Sequence, residues 1–428
     1  MLFYRRKILN LALPAMAENI LQMLMGVIDN YLVAQISLLA VSGVAMANNI
    51  ITVYQALFVA LSAAISSLVA RSVGEKDRTK LLKYIADAIW LTILVSVVLG
   101  MITLLFGEIT LLSLGASPQL AQMGNHYFRV VGGMIISLGL LTTLGAILRA
   151  QGNAKLPMQV SLLANVLNAF LSALSIYLLD FGIMGVAWST VISRMIGILV
   201  LASRLPIKEA FQEMNFHVDR DIWKLSLPAA GERLMMRIGD VLILIIIVNF
   251  GTKVLAGNAI GETLTQFNYM PGLGLSTATV ILVASFIGSG RDKEVPRLIK
   301  ETFCLSCLLM LGLGLFTYVV GPYVLPFFTS DKLAQESSMV VLLFSLLSAP
   351  ATAGTLIYTA LWQGLGNTRL PFYATTIGMW LVRILVGYFL GIILNAGLSG
   401  VWLATALDNL SRWAILGYLY KKYERVFP

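Results

Sequence analysis

The stretch from Leu13 to Asn30 places a proline, Pro14, and two carboxylates, Glu18 and Asp29, in a run otherwise apolar enough to cross a bilayer. An ionisable side chain in hydrocarbon costs roughly 2.5–3.5 kcal/mol on insertion scales, so a spanning helix keeps one where it faces protein or a water-filled cavity. The chemistry open to such an acid is reversible binding of a proton or a small cation, which makes Asp29 the first candidate. Pro14 lies fifteen residues earlier, about four helical turns, and its missing N–H favours a local bend.

Other charges lie in apolar runs. Glu18 and Glu232 each follow a proline by four residues. Each reads either as a carboxylate that attracts cationic compounds into a cavity or as an ion-pair residue. The second half adds Arg233, Arg237, Asp240, Glu262, Arg383, Asp408 and Arg412. Asp408 and Arg412 are spaced i,i+4 and are expected to form a structural ion pair. Arg383 needs a carboxylate, with Glu262, Asp240 or Asp408 the expected partner. Met23, Met25, Met236, Tyr269 and Met270 could line an adaptable apolar cavity, with packed or lipid-facing placement the plainer reading.

The same inventory excludes much chemistry. Cys304 and Cys307 form a lone C-x-x-C inside an apolar run and read as packing residues. His126 and His217 are too few for a histidine-based metal centre. There is no H-E-x-x-H, no G-x-S-x-G and no phosphate-cradling glycine motif. A membrane-embedded enzyme is a remote alternative, and no cofactor is expected.

The elements that must position these residues follow from composition. With 428 residues, 58% hydrophobic, 12% charged and a mean hydropathy of +0.85, the chain reads as an all-α, multi-spanning membrane protein. Apolar runs near 9–34, 43–71, 84–106, 122–147, 157–179, 183–203, 225–250, 255–287, 302–325, 338–362, 371–394 and 397–420 predict twelve transmembrane helices. Twenty-two Lys and Arg fall in the termini and alternate connections, against Lys253 and Lys332 in the others. The positive-inside rule then puts both termini and the central connection in the cytoplasm. The net charge of +9 reflects that placement and not nucleic-acid binding. The first apolar run lacks a cleavage-like site and reads as a retained helix.

The halves repeat at an offset of 214. Leu13-Pro14 matches Leu227-Pro228, Glu18 matches Glu232, Leu68-Val69-Ala70 matches Leu282-Val283-Ala284, Gly152-Asn153 matches Gly366-Asn367, and Leu156-Pro157 matches Leu370-Pro371. The expected organisation is an N-lobe over 1–203, a cytoplasmic linker over 204–224, a C-lobe over 225–420 and a tail over 421–428. Six helices per copy makes the repeats parallel, with substrate expected between the lobes.

At this level of detail the sequence resembles the multidrug and toxic compound extrusion (MATE) transporters, with the DinF-like bacterial branch the nearer likeness. The ordered motifs that carry it are the L-x-L-P starts of helices one and seven, Val27-Ile28-Asp29, Leu68-Val69-Ala70-Arg71-Ser72-Val73-Gly74, Leu114-Gly115-Ala116-Ser117-Pro118, Gln151-Gly152-Asn153-Ala154-Lys155-Leu156-Pro157 and Gly364-Leu365-Gly366-Asn367-Thr368-Arg369-Leu370-Pro371. The resemblance implies two six-helix lobes, and export of bulky, often cationic compounds across a prokaryotic cytoplasmic membrane, driven by inward H⁺ or Na⁺.

It also implies an N-lobe cation site at Asp29, Asn168, Ser172 and Thr190. Ser172 stands where the family motif has a second acid, which leaves one formal negative charge. A small cation wants several oxygen ligands, whereas a lone desolvated carboxylate suits proton binding and release, so the reading leans to H⁺. The tenth helix holds no acid, so a C-lobe cation site of the kind some family members have is not expected. Small-molecule drugs and the bilayer are the expected partners, and a monomer the expected state. The alternative is a flippase for a lipid-linked precursor, kept open by Arg233 and Arg237.

Overall fold

The computed structural model describes residues 2–212 and 219–426, and they are helical almost throughout. Residues 213–218 of the expected linker, His217 among them, lie outside the described residues. Among the described residues, α1 (Leu2–Ala34), α2 (Leu38–Glu75), α3 (Arg78–Ser113), α4 (Pro118–Val131), α5 (Ile136–Ala150), α6 (Lys155–Tyr177) and α7 (Gly182–Ala202) precede a short α8 (Ile207–Gln212). Then come α9 (Arg220–Val248), α10 (Thr252–Gly288), α11 (Val295–Val324), α12 (Lys332–Gly364), α13 (Arg369–Ile377) and α14 (Gly397–Val426).

Helix starts follow from local chemistry. Ser37 accepts from the Ala40 N–H at 3.0 Å, Asp77 from Lys80 at 3.0 Å and Asp331 from Ala334 at 3.1 Å, each satisfying an otherwise orphaned donor. In the turns, Gly152 and Gly366, at equivalent positions of the repeat, have φ of +90° and +82°, backbone that only glycine adopts freely. The following asparagines cap alike: Asn153 accepts from the Leu156 N–H and Asn367 from Leu370, both at 3.3 Å. The duplication read at residue level is thus repeated in backbone geometry.

Among the described residues, nine helices are long and apolar enough to span a membrane, and the α4–α5 pair makes a tenth. Helices α9 and α14 complete the expected twelve; α9 is the less apolar for carrying Glu232, Arg233, Arg237 and Asp240. The fourth expected helix is broken, bending by 44° between α4 and α5. The break holds Gly132 and Gly133, where a side chain at Gly132 would press on the Phe128 carbonyl and Thr103 at 2.8 Å. After α13 the helix widens to π geometry over Gly378–Val386 and again over Phe389–Ile393, a feature often found at functional sites.

The chain forms two compact units, Ala17–Ser226 and Met1–Met16 with Leu227–Pro428, called here the N-lobe and the C-lobe. Within the N-lobe, Phe58, Leu111, Phe128, Ile135 and Val186 are buried in one core. In the C-lobe, Ile247, Val341 and Val401 form one cluster, and Met310, Ala353 and Leu356 another. The first sixteen residues pack in the C-lobe, where Arg5 Nε meets Glu301 at 2.9 Å and the Tyr4 hydroxyl donates to Glu294 at 2.7 Å.

Candidate functional site

Asp29 lies in the last turns of α1, half-buried. Its helix is tied to α6 by the Asn165 side-chain N–H, which donates to the Leu21 carbonyl at 3.0 Å. One turn further along α6, the Asn168 amide donates to both Asp29 oxygens at 3.3 and 3.4 Å. Ser172, a turn beyond that, donates to the Asn168 carbonyl oxygen at 3.0 Å. Asn168 and Ser172 are 3% and 0% exposed, so a polar relay runs from a buried serine to a reachable carboxylate.

Thr190 on α7 is buried and donates to its own helix at Val186 O, 3.0 Å. It joins the group through Tyr127 of α4, a buried phenol that faces Thr190, Asn48 and Asp29. One turn after Thr190 comes Arg194, whose charge acts on Asp29 and whose Nη1 is buried without a hydrogen-bond partner among the described residues. Sequence reading missed Tyr127 and Arg194. Arg194 was findable: it is an arginine inside an apolar span, at i+4 from a candidate ligand and hence on the same helix face.

The C-lobe carries a denser network. Asp408 on α14 is 0% exposed and lies 2.8 Å from Arg412 Nη2 and 2.9 Å from Arg383 Nε. Arg383, on the π-helical stretch, also donates to Asp240 of α9 at 3.4 Å, and Arg237 approaches the same aspartate at 3.9 Å. The sought partners of Arg383 are therefore Asp408 and Asp240. Glu262 is exposed on α10, and Arg233 is half-buried on α9.

The remaining candidates fall apart from these groups. Pro14 sits inside α1, which runs unbroken through it. Glu18 accepts from Arg149 Nη1 of α5 at 2.6 Å, whereas Glu232 is buried and accepts from the Thr375 hydroxyl at 3.2 Å. Met25 is buried, and Met23, Met236 and Met270 are half-buried. Tyr269 packs on the Met310 cluster. Cys304 and Cys307 are free thiols. Among the described residues, no cluster of three or more His, Cys, Asp or Glu could hold a metal ion.

Two six-helix repeats with polar side chains inside the bundles define a membrane transporter, and comparison with known proteins makes this specific. The MatE family model matches residues 14–174 and 228–389, so the chain belongs to the MATE family of transporters. The "Probable multidrug resistance protein NorM" of Thermotoga maritima is 27% identical, the alignment covering 98% of this chain and 93% of that protein. The "Uncharacterized transporter YisQ" of Bacillus subtilis is 24% identical over 95% of this chain and 92% of its own. The crystal structure of a variant of the Vibrio cholerae MATE transporter VcmN has the same fold, with a TM-score of 0.91 at 17% identity, covering 99% of this chain and 97% of that one.

Proposed function

We propose that this protein is a cation-coupled multidrug efflux antiporter of the cytoplasmic membrane, working by alternating access as a monomer with both termini in the cytoplasm. The ion binds at Asp29, and its binding competes with that of bulky, often cationic compounds. The observation that carries the reading is the Asp29–Asn168–Ser172 relay, which holds a reachable carboxylate at one end and buries its other end. The name of the Thermotoga maritima relative supports the substrate class.

Within this reading the donor set favours H⁺ over Na⁺. A sodium ion needs several oxygens turned towards it, whereas Asn168 offers Asp29 its N–H and turns its carbonyl to Ser172. Arg194 already matches the single negative charge. A proton needs no such cage.

The test is ethidium efflux by energised everted vesicles, with a pH gradient or a Na⁺ gradient imposed separately. Efflux driven by the pH gradient and lost in Asp29→Asn supports the proposal. Undiminished efflux in that variant overturns the role of Asp29, and a strict Na⁺ requirement overturns the choice of ion. A second reading, export of lipid-linked anionic precursors, draws on the unpartnered Arg194 Nη1. Rescue of a cell-wall precursor defect without any drug phenotype would favour it.

A further inference from the structure

Glu18 and Glu232 occupy the same position of the repeat, and so do the residues that face them. In the N-lobe Glu18 meets Arg149 at 2.6 Å. Advancing Arg149 by the 214-residue offset gives Gln363, and the Gln363 amide faces Glu232. The two copies share the acid and differ in its partner, an arginine in one and a neutral amide in the other.

The C-lobe acid is also the more deeply placed, at 5% exposed. Its hydroxyl donor is Thr375 at 3.2 Å, equally neutral. The charged groups around it come from three elements. Arg412 of α14 is held by Asp408 at 2.8 Å and Asn409 at 3.1 Å. Arg383, after α13, is divided between Asp408 and Asp240. Arg233 is the next residue of α9, about 100° around the helix axis, and Asp408 itself is negative. Among the described residues, no ion pair within 4.0 Å is made by Glu232.

From this geometry we propose that Glu232 is a proton-binding site of the C-lobe, loaded as the neutral acid and separate from Asp29. A buried carboxylate without a paired cation takes a proton in preference to carrying charge out of water. As an acid, Glu232 gains an O–H that can donate to the Gln363 amide oxygen, while its other oxygen keeps the Thr375 bond; an amide accepts as readily as it donates. The event is one O–H bond made or broken with a proton from water, and it needs no co-reactant. This goes beyond the proposed antiport, which uses Asp29 alone.

The test reads protonation directly and does not depend on transport. Purified full-length protein in lipid nanodiscs would be examined by infrared difference spectroscopy near neutral pH, wild type against variants. Glu232→Gln is expected to remove a protonated-carboxyl C=O band that Asp29→Asn leaves in place. Gln363→Arg, which rebuilds the N-lobe pair, is expected to remove the same band, and Thr375→Val to shift it by taking away one hydrogen bond. Should Gln363→Arg fail to fold, the Thr375→Val shift still decides. No band lost in Glu232→Gln overturns the site. A band unmoved by both partner variants overturns the part played by the swap.

Discussion

The two lobes share one plan and place their charges differently. Advanced by 214, Asp29, Asn168, Ser172 and Thr190 become Ile243, Val382, Val386 and Ala404, while Arg194 becomes Asp408. The N-lobe thus puts an acid on the first helix of its repeat and an arginine on the last. The C-lobe puts its buried aspartate on the last helix and answers it with Arg383 and Arg412. Asp29 is half-buried and hydrogen-bonded by the Asn168 amide, with Arg194 acting on it without an ion pair within 4.0 Å among the described residues; Asp408 is enclosed by two guanidinium groups. The difference teaches that a charge inside a membrane helix is not in itself a coupling site. What separates the two is contact: two guanidinium groups touch Asp408, whereas an amide is what touches Asp29.

The comparison can be broken in several places. Asp408→Ala leaves Arg383 and Arg412 buried without their acid and is expected to cost about 3–5 kcal/mol, read as a large fall in thermal stability, while Asp29→Asn leaves stability near wild type. Arg149→Gln copies the C-lobe arrangement into the N-lobe and is expected to cost about 1–3 kcal/mol by orphaning Glu18; an unchanged melting temperature would show that the pair is incidental. Ser172→Asp gives the site a second acid and is expected to raise Na⁺ affinity about tenfold, roughly 1.4 kcal/mol, measured as the Na⁺ dependence of efflux.

A smaller effect lies outside the spans. Burial pushes the Asp219 carboxyl up, but the Lys83 ammonium at 2.6 Å, the Asp221 N–H and Lys224 together hold it below its usual range. Its contribution is therefore present above the ordinary carboxylate value of about 3.9 and fades as pH falls through the lower folded value. Lys83 is more than a third exposed, so Lys83→Met is expected to cost no more than about 0.5 kcal/mol. That difference in melting temperature should hold from neutral pH down to about 4 and close below it.

Much of the fold was legible in the sequence because hydrocarbon imposes one rule, a long apolar helix, on every span. The duplication was legible through its Leu-Pro and Gly-Asn marks. The α4–α5 break was not, because Gly132-Gly133 in an apolar run reads as continuous helix by its hydropathy. At the site, Asp29 stood out as an acid in an apolar run, whereas Asn168, Ser172 and Thr190 came through the family resemblance. Tyr127 gave no periodic signal, since a tyrosine in a bundle is ordinary, and only its facing partners mark it. Glu18 and Glu232 looked identical in sequence, and what separates them is who faces each across the bundle.

The placement of the first residues with the C-lobe bears on how the chain is made. Arg5 finds its partner, Glu301, 296 residues later. At about 5–20 residues per second of synthesis, Arg5 waits on the order of a quarter-minute to a minute before Glu301 exists. This part of α1 is thus seated only after α11 has been made, long after its own synthesis.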